Sequence, residues 1–246
     1  MKKYILLLLI LPALLFAESK YPDAKTIIQK VDANMTSKTQ IVKSSMVIHN
    51  RRNVRTVTSI SYTEGSHKSF SEYLSPEMEK GTKMLKLDDR LWIYSPSTDR
   101  TIQLSGHMLK QSVMGSDLSY EDMMEDRKLI DLYDAKITGD DTLGGRKTWI
   151  MELNAKVSDV SYEKRKMWID VERLIPLKEE LYAKSGQLLK KTIMSDVAKF
   201  GGRWYPKKIN YKDMLKDGEG TDFIISDIKF DADIPDYIFS KASLKK

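Results

Sequence analysis

Five acidic residues crowd into one short segment: Asp117, Glu121, Asp122, Glu125 and Asp126. Carboxylates this close could hold a divalent cation or share acid–base chemistry, but their spacing is not that of an EF-hand loop. Just before them, Gly115-Ser116-Asp117 starts like a nucleophile elbow and then lacks the glycine after the serine. The three histidines, His49, His67 and His107, fall in no H-E-x-x-H or comparable metal-ligand spacing and read as loop and strand-end residues. Gly139-Asp140-Asp141 reads as a solvated turn. With no cysteine in the chain, thiolate zinc sites, disulfides and an acylated lipobox cysteine are excluded. No constellation supports a reaction, so the chain is not expected to be an enzyme, no cofactor or metal is expected, and the acidic segment reads as a solvated face.

The elements around that segment are mostly strands. Ala24, Ile27, Ile28, Val31 and Met35 recur at helical spacing, with Asp23 as cap and Pro22 outside it, predicting one amphipathic helix. From Gln40 the period becomes two, through runs near 46–48, 54–62, 70–74, 83–87, 91–95 and 101–104. Residues 106–134 break the alternation and read as a long connection, with a short helix opened by Ser119 ahead of Glu121 and Asp122. Strands resume at Ala135 and continue to Phe230, separated by Gly144-Gly145, Ser185-Gly186, Gly201-Gly202 and Asp217-Gly218. A last helical turn is expected after Pro235. The pattern predicts a mainly β chain with some α: a large curved antiparallel sheet or half-open β-barrel of about 11 strands. Its apolar face would need covering, and the helix and the 106–134 insert are the candidate covers.

The N-terminus reads as an export signal. Lys2 and Lys3 precede an apolar run from Tyr4 to Phe16, and Ala17 offers a cleavage point. Residues 1–17 are therefore expected to be removed, leaving 18–246 as one domain in the periplasm. The 41 Lys and Arg exceed the 35 Asp and Glu by six; without Lys2 and Lys3 the excess is four. That mild balance permits transient contact with a membrane surface. The interleaving of basic with acidic residues argues against nucleic acid as a partner.

Several segments together resemble the LolA-like outer-membrane lipoprotein-sorting family. They are Pro76-Glu-Met-Glu-Lys-Gly81-Thr82, Leu91-Trp92-Ile93-Tyr94-Ser95-Pro96, Met114 through Asp122, Lys166-Met167-Trp168-Ile169-Asp170, Trp204-Tyr205-Pro206 and Phe230 through Ser240. The resemblance covers most of 18–246 and implies a half-open antiparallel barrel with a helical lid, which shields acyl chains in transit through the periplasm. It also implies lipid or lipoprotein acyl chains as cargo, with an inner-membrane exporter or an outer-membrane acceptor as a partner. The chain is expected to be a monomer.

Within such a barrel, the residues expected to line a hydrophobic cavity are Met46, Ile48, Leu85, Trp92, Tyr94, Met114, Trp149, Met151, Leu153 and Leu181. Trp149, Met151 and Leu153 share one strand face, and Trp92 and Tyr94 lie on a strand apolar on both faces. Such side chains either line a ligand or pack a core. The 13 methionines have the same two readings, adaptable lining or ordinary filler. The alternative function is an envelope-stress or assembly regulator that uses the same half-barrel to bind a partner protein.

Overall fold

The computed structural model describes residues 20–50 and 53–245; the expected leader, 1–17, lies outside the described residues. The helix predicted from the 3.6-residue spacing is α1, Ala24–Met35. Its N-cap is Asp23, whose carboxylate accepts the Thr26 amide at 2.8 Å, satisfying one of the free donors of the first turn.

The alternating runs form a first meander of β1 (Thr39–His49), β2 (Val54–Glu64), β3 (Lys68–Ser75), β4 (Lys83–Leu87), β5 (Arg90–Ser95) and β6 (Arg100–Leu104). An insert follows, containing two 3-10 turns and the short helices α2 (Tyr120–Met124) and α3 (Leu129–Leu132). The second meander is β7 (Tyr133–Leu143), β8 (Arg146–Ala155), β9 (Lys164–Asp170), β10 (Pro176–Tyr182), β11 (Leu188–Phe200), β12 (Arg203–Asp213) and β13 (Gly220–Phe230). Two 3-10 turns, Asp236–Phe239 and Lys241–Lys245, close the chain.

All thirteen strands join one antiparallel sheet, in the order β6-β5-β4-β3-β2-β1-β13-β12-β11-β10-β9-β8-β7. The sheet is curved and unclosed, a half-barrel with a helical lid. Among the described residues there are thirteen strands rather than about 11. The β1–β13 pairing joins the two meanders, so β6 and β7, consecutive in sequence, stand at opposite edges. The insert carries the chain from one edge to the other.

Strand alternation sorts the side chains onto two faces. On the inner face, α1 packs Ile27, Ile28 and Val31 onto Met151, Leu153, Met167 and Ile169 of β8 and β9. Also on the inner face, Val113 and Leu118 of the insert pack onto Met46, Val57, Tyr73, Met84 and Leu91. On the outer face, the C-terminal turns bring Ile234, Phe239 and Leu244 against Phe70, Leu85 and Trp92.

Candidate functional site

Between the two inner-face clusters the sheet changes character. The in-phase positions there are Gln40 on β1, Thr63 on β2, Ser69 on β3, Arg165 on β9, Glu179 on β10 and Thr192 on β11. Neither α1 nor the insert packs down onto this polar middle, and a cavity of about 940 Å³ remains between lid and sheet. Its apolar wall is Val31 and Met35 of α1, Met123 and Leu129 of the insert, and Met167, Pro176 and Met194 of the sheet. Its polar wall includes Gln40, Thr63, Ser69, Arg165 and Glu179. The volume is in the ~300–1,000 Å³ range of small-molecule pockets.

Polar contacts hold the insert over this space. Asp32 of α1 accepts the amides of Leu129 and Ile130, both at 3.0 Å. Lys86, on the inner face of β4, donates to the Ser66 and Met124 carbonyls at 2.8 and 2.9 Å and meets both Asp126 oxygens at 2.7 Å. Asp122 closes a capping box with Ser119 and also accepts hydrogen bonds from the Tyr162 hydroxyl and the Lys190 ammonium. Asp117 accepts the Thr221 hydroxyl and the Asp213 amide at 2.9 Å each. Arg55 donates to the Met114 carbonyl.

Environment sets these carboxyls apart. Burial alone would raise Asp122, but Lys190, Tyr162 and Ser119 together hold it below the usual carboxylate range. Burial raises Asp32 despite the two amides, and raises Asp126 despite Lys86. Glu179 is raised by burial with only Arg165 acting against it.

The acidic segment is thus not the solvated face that its composition suggests. Asp117 is 7% exposed, and Asp117, Asp122 and Asp126 all turn toward the sheet as anchors. The correction has a simple physical cause: inward-facing Lys86, Lys190 and Thr221, remote in sequence, supply the partners that make burial of these acids tolerable. His49 and His67 pair with Asp222 and Asp88 at 3.1 and 3.0 Å, in keeping with strand-end and loop positions.

The ten residues expected to line one cavity are divided by the fold. Met46 and Ile48 are buried on the inner face beneath the insert, with Met114 packed partly buried against them. Met151 and Leu153 are buried beneath α1, and Trp149 sits half-buried on the same face. Leu181 is buried on the inner face opposite Arg165. Leu85, Trp92 and Tyr94 point the other way, to the outer face under the C-terminal turns. Alternation dictates this correction: Met84 and Ile93 occupy the inward phase of β4 and β5, so the neighbouring Leu85 and Trp92 cannot. None of the ten lines the 940 Å³ cavity.

The charged residues Asp32, Lys86, Arg165 and Glu179 are among the site residues that the sequence reading does not nominate. Their signal was a charge in phase with apolar neighbours, Lys86 with Met84 and Arg165 with Met167 and Ile169.

A family model described only as an uncharacterized protein matches residues 65–246. No curated protein matches the chain. Among solved structures, a domain named for outer membrane lipoprotein sorting, from Vibrio parahaemolyticus, is similar with a TM-score of 0.79 and 22% identity, covering 91% of this chain and 98% of that one. A DUF1329 family protein from Desulfovibrio piger has a TM-score of 0.80 and 24% identity, over 89% and 97%. A LolA superfamily protein from Nitrosomonas europaea has a TM-score of 0.75 and 24% identity, over 91% and 100%. None of the three is named for a catalytic activity.

Proposed function

Because the chain belongs to the family of that uncharacterized-protein model and has the LolA-like fold, we propose that it is a periplasmic carrier of hydrophobic cargo. The cargo would be lipid or lipoprotein acyl chains, moved in outer-membrane sorting or in exporter-associated lipid transport. The observation that carries this reading is the Met-walled cavity beneath a lid held by separate polar contacts. Met35, Met123, Met167 and Met194 offer flexible, polarizable walls that repack around chains of different shape. Each methylene moved from water into such a site contributes about 0.8 kcal/mol, so a chain of ordinary length binds without many polar contacts. The lid is seated by separate polar contacts, and a partner or cargo that binds its open and closed states unequally shifts it between them. Neither step uses catalysis. The same reading makes residues 1–17 the export signal and gives Met46, Ile48, Trp149, Met151, Leu153 and Leu181 a supporting role around the cavity.

The test is to express the chain with its leader, recover it from the periplasm, and analyse it by native mass spectrometry and organic extraction. An acyl-chain lipid held in near-stoichiometric amount is the expected result. A protein that arrives empty and takes up no added amphiphile overturns the carrier. If that empty protein crosslinks to an inner-membrane signalling protein, the regulator reading replaces it.

A further inference from the structure

Among the described residues, Arg165 is the cavity-wall cation placed on a strand rather than at the rim. It sits on β9 across from Leu181, with its guanidinium 5.1 Å from the Tyr133 ring centre and 5.8 Å from that of Tyr162. Its Nε is buried and makes no hydrogen bond among the described residues. A buried N–H without an acceptor is costly, more so on a charged group. The other buried charges around the cavity are committed: Asp32 to two backbone amides and Asp126 to Lys86. Arg127, at the rim, is held by Glu125 and Asp159. Glu179 is the charge beside Arg165; burial raises its carboxyl and Arg165 acts against that rise. Arg165 thus brings a guanidinium with an unsatisfied donor to the wall of a cavity that is part methionine and aliphatic and part polar.

Resting on the carrier reading, we propose that Arg165 anchors an anionic head group: an acyl chain fills the cavity, and a carboxylate or phosphate of the same molecule accepts hydrogen bonds from the Arg165 guanidinium. The cargo class is thus the anionic amphiphile. Arginine suits the task because its planar donors match carboxylate and phosphate geometry, whereas an ammonium offers only a point charge.

The experiment uses the delipidated mature chain and three probes with the same tail: oleate, 1-oleoyl lysophosphatidate and oleyl alcohol, with dissociation constants from calorimetry. At least one anionic probe should bind about tenfold or more tightly than the alcohol, the scale of a hydrogen bond to a charged group. Whether oleate or lysophosphatidate leads identifies the head as carboxylate or phosphate. Arg165→Met should erase the gap while leaving alcohol binding intact, and Arg165→Lys should restore part of it. Glu179→Gln, which removes the competing carboxylate, should widen it; this variant and the wild-type ratio decide the matter even where Arg165→Met fails to fold. Equal affinity for all three probes, or a gap that survives Arg165→Met, overturns the anchor and leaves the carrier standing. Failure of every probe to bind overturns both.

Discussion

Asp32 of α1 caps α3 from outside: its carboxylate oxygens accept the amides of Leu129 and Ile130 at 3.0 Å each. The cap residue of α3 itself, Lys128, makes no side-chain cap bond, so α1 completes a helix that is 97 residues away in sequence. Asp32→Ala should cost about 1–3 kcal/mol, the range for orphaned buried donors. Urea unfolding gives the total, and hydrogen exchange should show the loss of protection concentrated at Leu129–Leu132. Uniform loss across the sheet would mean that Asp32 holds the whole fold rather than this end of the lid.

Lys86 and Asp126 form the next contact, with the Lys86 side chain 4% exposed. Lys86→Met should destabilise by about 1–3 kcal/mol because Asp126 is left without its cation. Asp126→Asn in the same chain should recover part of that loss. A double-mutant cycle measures the coupling, and additive single effects would show that the two do not act as a pair. Both variants should also release bound amphiphile faster.

Asp122 gives the lid an acid dependence. Its folded carboxyl titrates below the ordinary value of 3.8, so its contribution is present above that value and is lost as pH falls through it. Asp32, Asp126 and Glu179 are raised; they take up protons first in the folded state and oppose the loss. The stability gap between wild type and Asp122→Asn should therefore be widest near neutrality and shrink below about pH 4. Chemical unfolding at a series of pH values reads the gap directly, and a gap independent of pH would show that Lys190 and Tyr162 do not hold the charged form.

Methionine has two roles here, and two variants separate them. Met151 is fully buried beneath α1, so Met151→Ala should cost about 2–5 kcal/mol. Met123 is 38% exposed and lines the cavity; Met123→Ala should cost less than about 1 kcal/mol and yet change acyl-chain affinity. Equal stability losses at the two sites would return Met123 to the core.

The fold was legible wherever the local pattern and the tertiary environment agree. α1 was visible in Ile27, Ile28 and Val31, because the stripe that repeats in sequence is the stripe that packs. The capping box of α2 was visible in Ser119 and the acids after it. The face chosen by β5 was not, because Trp92 and Ile93 are both apolar, and the C-terminal turns that claim Trp92 lie more than a hundred residues away. The acidic anchors were misread for the same reason. Asp117 looks like any surface acid until Thr221 and the Asp213 amide, from the far meander, arrive beside it. Charge in phase with an apolar face was the one trace of Lys86, Arg165 and Glu179 that a single sequence carries.

The insert joins β6 to β7, the two free edges of the sheet. It is the string of a bow whose limb is the thirteen-stranded arc. It is tied to the arc along its length, by Asp117 to Thr221, Asp122 to Lys190 and Asp126 to Lys86, so the lid is seated at several points at once, and residues added between those ties would alter the lid without touching a strand.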